Sequence, residues 1–291
     1  MRWYPRTFLF LLRRSLLAAF DDGCLSVAKG AAYSALLSFF PVLASAATIL
    51  LEVRADVVSR TFENALSEIV PPGSEDLVVQ QFRVSGARPL GVLVVAGLIS
   101  LWAASGVFKS LIEGFQTIYR VPRNRGFFHQ SGVAMALVLG SAVPLVAASL
   151  LILFGTQVEH TVLGWLKVVP GGTPLAWFWQ LLSRLTQFLL AFGSTALDTA
   201  CLYYFGPYRK QRWRYVWPGA ILATVLWMLA TLGFAWYVRN VAHYNVMYGS
   251  VGVVIALLVW MYLIAVIAMI GCEYNAAYER SRKIAPGPSA P

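Results

Sequence analysis

The chain has 291 residues, of which 58% are hydrophobic and only 12% are charged. Soluble domains carry about 25% charged residues, so this composition excludes an ordinary soluble protein and indicates lipid as the solvent. The net charge of +10 would suit a nucleic-acid-binding protein, but the basic residues are spread over loops between apolar segments and do not gather in one groove.

Within the N-terminal segment, residues 1–28, the stretch 3–20 is too short and too charged to cross a membrane. The apolar residues that share one face of a helix there are Phe8, Leu12, Leu16 and Ala19. This pattern predicts an amphipathic helix that lies in the inner membrane interface, with its arginines at anionic headgroups. A basic leader that only orients the next segment is the alternative.

Six apolar segments are each long enough to cross a bilayer, which takes about 20 residues in a helix. In lipid, backbone amides are satisfied only within a helix or a closed barrel, and the lengths of these segments favour helices. The predicted spans are residues 29–51, 89–108, 132–155, 176–205, 215–238 and 248–271. The predicted fold class is therefore an all-α integral membrane protein, with residues 29–279 as its membrane domain.

Proline lies inside the first and third predicted spans, at Pro41 and Pro144. It frees a backbone carbonyl and kinks a helix, so both residues are candidates for gating. Residues 52–88 separate the first two spans, and their apolar spacing predicts a helical hairpin on the outer, periplasmic face. Residues 280–291 are expected to form a disordered cytoplasmic tail.

Most of the 23 lysines and arginines fall before the first span, or after the second, fourth and sixth spans. This distribution satisfies the positive-inside rule at the short loops if both termini lie in the cytoplasm. The loop after the fourth span is strongly basic, with Arg209, Lys210, Arg212 and Arg214. We therefore expect anionic lipid headgroups as partners at the cytoplasmic face and no nucleic-acid partner. Whether the protein forms a homo-oligomer is left open.

The fourth span is unusual because it contains two charged residues. Arg184 and Asp198 share one helical face with Gln187, Ala191 and Ser194, at alternating spacings of three and four. An ionisable residue inside a membrane is costly and by default indicates function. We interpret this face as a candidate substrate pathway, and pairing with neighbouring spans is the structural alternative.

Polar side chains also follow the second and sixth spans at their predicted inner ends. These residues are Glu113, Glu273 and Asn275. Acids and amides at the ends of broken or striped helices are common around transporter substrate sites, so these residues join the pathway candidates.

The sequence contains no pattern typical of catalysis or metal binding. The three histidines lie in different loops and the three cysteines are scattered along the chain, whereas a zinc site needs three or four converging ligands. We find no phosphate-binding loop and no dinucleotide fingerprint. We therefore expect no metal, no cofactor and no enzymatic activity.

Four stretches connect the chain with a known family. They are AAYSALLSFFPVL at 31–43, LWAASGVFKSLIEGFQTIYRV at 101–121, RYVWPGAILATVLWMLATLGFAWYV at 214–238 and YGSVGVVIALLVWMYLIAVIAMIGCEYNAAYE at 248–279. Through them the chain resembles the YihY/BrkB family of bacterial inner-membrane proteins. The family more often has Gly-Ala-Glu-Leu-Asn where this chain has GCEYN, and more often Asn at the position of Gln116.

The resemblance implies a multi-pass protein of the bacterial inner membrane. Members of the family have been linked to envelope integrity, serum resistance and lipid export, and the family has carried a ribonuclease BN label. Together with the polar face of the fourth span, this favours a transporter that moves or flips a lipid or amphiphile. An ion- or proton-coupled small-solute transporter and a non-transporting envelope scaffold are the alternatives, and ribonuclease activity is not expected.

Overall fold

The computed structural model describes residues 5–52, 90–121, 126, 128–143, 176–240 and 250–284, and the regular secondary structure in this part of the chain is helical. The helices are α1 (Pro5–Asp21), α2 (Cys24–Glu52), α3 (Leu90–Ile118), α4 (Phe128–Val143), α5 (Ala176–Phe205), α6 (Trp217–Asn240) and α7 (Ser250–Ile284). A short 3-10 turn, Trp213–Tyr215, precedes α6. The prediction of an all-α fold is confirmed.

Among the described residues, five helices are long and apolar enough to cross a membrane. Their candidate spans are Cys24–Leu43, Gly97–Ile118, Arg184–Phe205, Trp213–Val238 and Val251–Arg282. The described part of α4 is apolar but shorter. The rest of the third predicted span, with Pro144, lies outside the described residues, as do the predicted hairpin beyond Glu52 and residues 285–291. The count of six spans and the cytoplasmic location of both termini stay predictions.

α7 is the helix on which the others assemble. It packs against α1, α2, α3 and α6, while α5 packs on α6 and α2 packs along α3. The main buried cluster joins six helices near one end of the bundle, with members that include Ala28, Phe115 and Tyr203. We call this the basic end, because the loop 206–216 and the arginines at 280 and 282 lie there. It is the end predicted to face the cytoplasm.

α1 packs onto α7 through a face that overlaps the one its sequence indicated, since Phe8, Leu12 and Ala19 all belong to the packed clusters. The side chains of Leu11, Ser15 and Ala19 are buried, and the ring of Phe8 lies 5.8 Å from that of Tyr274. Leu16, which was expected on the apolar face, is 40% exposed. The position of α7 decides which face is buried, and the pattern of α1 alone does not reveal that position.

α6 crosses α7 at a point where both helices carry glycine. A Cβ atom added at Gly219 would come within 3.0 Å of the carbonyl oxygen of Gly271, and one added at Gly271 would collide with the hydroxyl of Tyr203. Small residues let the backbones of membrane helices approach closely. The same tyrosine donates a hydrogen bond of 2.7 Å to the carbonyl of Ala268, which ties α5 to α7.

Asn275 of α7 fastens the first turn of α6 to this crossing. Its Oδ1 accepts a 2.7 Å hydrogen bond from the backbone N–H of Gly219, and its Nδ2 donates one of 2.9 Å to the carbonyl of Val216. The first amides of a helix have no partner within the helix, so a side chain must satisfy them when they are buried. The contacts of Asn275, a pathway candidate in the sequence, are thus those of a structural anchor.

We expect Asn275→Ala to lower the free energy of unfolding by about 2 kcal/mol, because two hydrogen bonds are lost and their backbone partners stay buried. Unfolding can be followed by titration with sodium dodecyl sulfate in mixed micelles. The control is Asn240→Ala, since the bond that Asn240 donates to the carbonyl of Trp236 lies at an exposed site. That change should cost less than about 0.5 kcal/mol. Equal losses in the two variants would show that Asn275 is not an anchor.

Candidate functional site

A groove of about 280 Å³ lies between α5 and α6. It is lined by Phe188, Ala191, Phe192, Thr195, Thr224, Trp227, Met228, Thr231 and Leu232. Ala191 and Met228 lie near the midpoints of their helices, which is the depth of the middle of a bilayer. Phe188 and Leu232 are 49% and 62% exposed, so the groove opens sideways toward lipid. We call it the lateral groove.

Two hydroxyl groups of the lateral groove residues have hydrogen-bond partners, whereas the indole N–H of Trp227 has none in the described part of the chain. The hydroxyls of Thr195 and Thr224 each donate 2.9 Å hydrogen bonds to carbonyls of their own helices, those of Ala191 and Ala220. The indole N–H of Trp227 is buried and has no hydrogen-bond partner among the described residues. A buried donor without a partner costs about 1–3 kcal/mol. The groove therefore combines a mainly apolar lining with the ring of Trp227, whose unpaired N–H is enclosed by the protein and is not exposed at the groove surface.

The polar face predicted on the fourth span runs beside the lateral groove and, within the described residues, meets it at Ala191 alone. Arg184 is exposed, whereas Gln187 and Asp198 are half-buried. The hydroxyl of Ser194 donates to the carbonyl of Ala191 at 2.9 Å. Of the five residues on that face, Ala191 is the one that also lines the groove. The residues at 188, 192 and 195, which complete the lining from α5, lie on the neighbouring face.

The two predicted acidic candidates have different surroundings. Glu113 is exposed on α3, whereas Glu273 on α7 is 1% exposed. Asp22 lies beside Glu273 as a hydrogen-bonding neighbour, and the guanidinium groups of Arg280 and Arg120 are the nearby positive charges. The Oε1 atom of Glu273 has no hydrogen-bond partner in the described part of the chain. Glu273 therefore belongs to the core of the basic end and not to the lateral groove.

The gating candidate that the structure describes is half-buried within a continuous helix. α2 runs through Pro41 from Cys24 to Glu52. The other candidate, Pro144, lies just beyond the described end of α4. Pro41 is not among the described residues that line the lateral groove.

A second cavity, of about 500 Å³, opens at the basic end. It is lined by Lys210, Gln211, Arg212, Tyr215 and Glu279. We call it the basic cleft. The loop that forms most of it connects α5 to α6, so the basic cleft lies at the end of the same helix pair that forms the lateral groove.

The loop of the basic cleft is tied to the rest of the fold. Arg209 forms an ion pair with Glu279, and its guanidinium carbon lies 4.2 Å from the centre of the Tyr119 ring. Burial raises the pKa of Tyr119 well above its usual value, so the ring under this cation stays neutral. Gln211 donates to the carbonyls of Tyr203 and Tyr204 at 2.6 and 3.0 Å, which satisfies the last turn of α5.

The family model described as "Virulence factor BrkB" matches residues 17–291. The chain belongs to the BrkB virulence factor family. Among its relatives, the "Putative ribonuclease-like protein YfkH" of Bacillus subtilis is 27% identical over 267 residues, which cover 87% of this chain and 89% of that protein. A UPF0761 membrane protein of Alteromonas mediterranea is 29% identical over 270 residues, covering 88% and 83%. No solved structure matches.

Some BrkB-family relatives are longer than this chain. A UPF0761 membrane protein of Alkalilimnicola ehrlichii is 27% identical over 275 residues, and the match covers 91% of this chain but only 58% of that protein. The names of these relatives and the apolar helices of this chain agree on the location. The protein is a multi-pass protein of the inner membrane, as predicted.

The name of YfkH contains the words ribonuclease-like, which raises the question of whether this BrkB-family chain holds a metal-ligand cluster. In the described residues, no group of three or more histidine, cysteine or acidic side chains lies close enough together to hold a metal ion. The three cysteines are free thiols. The resemblance in name is therefore not matched by a metal-ligand cluster in the part of this chain that the structure describes.

Trp227 and the basic cleft are features that the sequence did not single out. Both cavities form where side chains of separate segments come into contact. Hydropathy does not predict which segments contact each other. A local signal existed in α6, where Thr224, Trp227 and Thr231 repeat at three and four and so share one helical face. The four basic residues of the loop indicated membrane orientation and anionic headgroups as partners, but not a cleft between the loop and α7.

Proposed function

We propose that this BrkB-family protein moves a lipid or similar amphiphile in the inner membrane, with its apolar part held in the lateral groove. The observation that carries the proposal is the groove itself. It lies near the middle of α5 and α6, opens to the side, and has in its wall the ring of Trp227, whose buried indole N–H has no partner among the described residues. No water is available to that donor in the hydrocarbon core, and in this proposal the indole turns toward the groove so that an ester oxygen of a passing lipid accepts its hydrogen bond.

The lining of the lateral groove favours an amphiphile over a small polar solute. A site for a polar solute needs several converging polar groups, and here the hydroxyls of Thr195 and Thr224 are already bonded to their own helices. A scaffold would be expected to pack the fourth span without a cavity. The groove beside α5 supports transport over both alternatives.

In this proposal the lipid headgroup moves along the polar face of α5. Arg184 and Asp198 lie 14 positions apart on α5, or about 21 Å at 1.5 Å per residue, on either side of Ala191. A headgroup moving along this face would meet a polar side chain about every one to two turns. Its chains would meanwhile stay in the lateral groove and in the surrounding lipid, so no wide aqueous pore is required.

The test is transbilayer movement of a fluorescent phospholipid in liposomes that contain the purified protein, measured by quenching the outer leaflet with dithionite. We expect Trp227→Phe to lower the rate by about tenfold, because one hydrogen bond worth about 1.4 kcal/mol is lost while the aromatic ring is kept. Trp236→Phe changes an exposed tryptophan near the C-terminal end of α6 and should alter the rate of lipid movement by less than about twofold. Wild-type liposomes no faster than protein-free ones would refute the proposal.

A further inference from the structure

We propose that the basic cleft binds the phosphate of an anionic phospholipid headgroup through Lys210 and Arg212, and that lipid enters the lateral groove from this end. The inference rests on the proposed function and names its substrate class. Two kinds of observation carry it: the charges that remain unpaired in the cleft, and the position of the cleft relative to the groove.

Most cations around the basic cleft already have partners. Arg209 pairs with Glu279, and Arg280 donates a 3.0 Å hydrogen bond to the carbonyl of Ile118. Arg214 and Arg282 lie 5.3 and 5.4 Å from the ring centres of Tyr215 and Tyr278.

Lys210 and Arg212 differ from these neighbours. Both side chains are exposed, and within the described residues neither forms an ion pair. The acid that lines the cleft, Glu279, is already engaged by Arg209. The basic cleft therefore has two positive charges in excess, which is the complement of a phosphate group. Arginine presents planar donors that match phosphate oxygens, and lysine adds a compact charge.

The excess charges are held on an ordered loop. Gly206 and Pro207 are buried at its start, and a Cβ added at Gly206 would come within 3.0 Å of the carbonyl oxygen of Leu202. Gln211, which lies between the two cations, is fixed by its bonds to the end of α5. Binding to such a loop loses less conformational entropy than binding to a flexible basic tail.

The distance between the two cavities matches the shape of a lipid. Eleven residues of α6 separate Trp217, next to the basic cleft, from Met228 in the lateral groove. At about 1.5 Å per residue this is about 16 Å, close to half of a hydrocarbon core of about 30 Å. A lipid whose phosphate lies in the cleft, at the membrane surface, would therefore have chains that reach the level of the groove.

An RNA strand also carries phosphates, but the cleft suits it less well. Single-stranded nucleic acids are bound along basic grooves several nucleotides long, with aromatic rings on which the bases stack. Here the two unpaired cations lie within three positions of each other, and the aromatic residue that lines the cleft, Tyr215, lies against Arg214. A lipid headgroup, which offers one phosphate at the membrane surface, is the better match.

The test is binding to the purified full-length protein in detergent, followed by native mass spectrometry. Phosphatidylglycerol is the anionic probe, and phosphatidylcholine, inorganic phosphate and a short RNA oligonucleotide are the comparisons. We expect the double variant Lys210→Gln, Arg212→Gln to weaken phosphatidylglycerol binding at least tenfold. The matched control is Arg13→Gln, Arg14→Gln, which removes the same charge from exposed positions on α1 outside the cleft. Those arginines are predicted to meet headgroups at a membrane surface, which is absent in detergent, so binding should weaken less than twofold.

Several results would overturn the inference. They are equal losses in the two double variants, phosphatidylcholine binding as tightly as phosphatidylglycerol, or displacement of the lipid by inorganic phosphate or by RNA. Both altered side chains are exposed, so the double variant should fold. The charge-preserving variant Lys210→Arg, with the native Arg212, should bind phosphatidylglycerol as the wild type does. If lipid movement is absent in liposomes but selective binding persists, the proposed transport fails while the site remains. If movement is present but the double variant binds normally, this inference alone fails.

Discussion

Replacing Gly219 by alanine should destabilise the helix bundle by about 3 kcal/mol, at the upper end of what overpacking usually costs. The added Cβ would come within 3.0 Å of the carbonyl oxygen of Gly271 and of the amide group of Asn275. A backbone carbonyl cannot rotate away as the end of a long side chain can. We therefore expect α6 to move away from α7. This movement would also break the hydrogen bonds by which Asn275 anchors α6.

The matched control lies on the same helix. A Cβ added at Gly233 would meet nothing within 4 Å, so Gly233→Ala should be neutral or slightly stabilising through helix propensity. Titration with sodium dodecyl sulfate, together with the yield of monodisperse protein, measures both variants. If Gly219→Ala proves as stable as Gly233→Ala, α6 and α7 do not cross as closely as described.

Filling the lateral groove should stop lipid movement without unfolding the protein. Ala191→Phe places a ring in a groove of about 280 Å³ that opens to lipid, so the ring has room and the fold should persist. We expect the rate of lipid movement in liposomes to fall at least about tenfold, which corresponds to about 1.4 kcal/mol in the barrier.

Gly193→Phe is the control for this substitution. It adds the same ring two positions along α5, where an added Cβ would meet nothing within 4 Å and where the glycine is exposed. Its rate should stay within about twofold of the wild type. Lipid movement that is normal in Ala191→Phe would remove the groove from the mechanism, whatever the result for Trp227→Phe.

Hydropathy and charge predicted the positions of the helices because lipid, as the solvent, requires long apolar segments to be helical. In lipid a long apolar segment of this kind must be helical, so α5 coincides with the predicted span 176–205 and α6 with 215–238 to within two residues. α2 begins five positions before the predicted start, since Gly23 at φ 70 allows a turn that ends α1 and starts α2 at once. A local conformation of this kind does not alter the hydropathy.

The candidate site was harder to predict because it depends on which helix faces meet. The spacing of Arg184 and Asp198 marks a polar face on α5, but only the position of α6 shows that the lateral groove lies on the neighbouring face. Asn275 was grouped with that face by its polarity alone. Its hydrogen bonds to Gly219 and Val216 are 56 and 59 residues away in sequence, beyond the reach of any local pattern.

Photolabelling tests most directly whether the lateral groove holds lipid chains. Protein in bilayers would be irradiated with a phospholipid that carries a diazirine in its acyl chain, and the labelled residues would be mapped by mass spectrometry. The groove predicts that labels concentrate on Phe188, Trp227 and Met228 and are lost from them in Ala191→Phe. Leu98 and Trp102, which are 61% and 69% exposed on α3, serve as the reference for ordinary contact with lipid. Labelling of these two residues as strong as that of the groove would contradict the account.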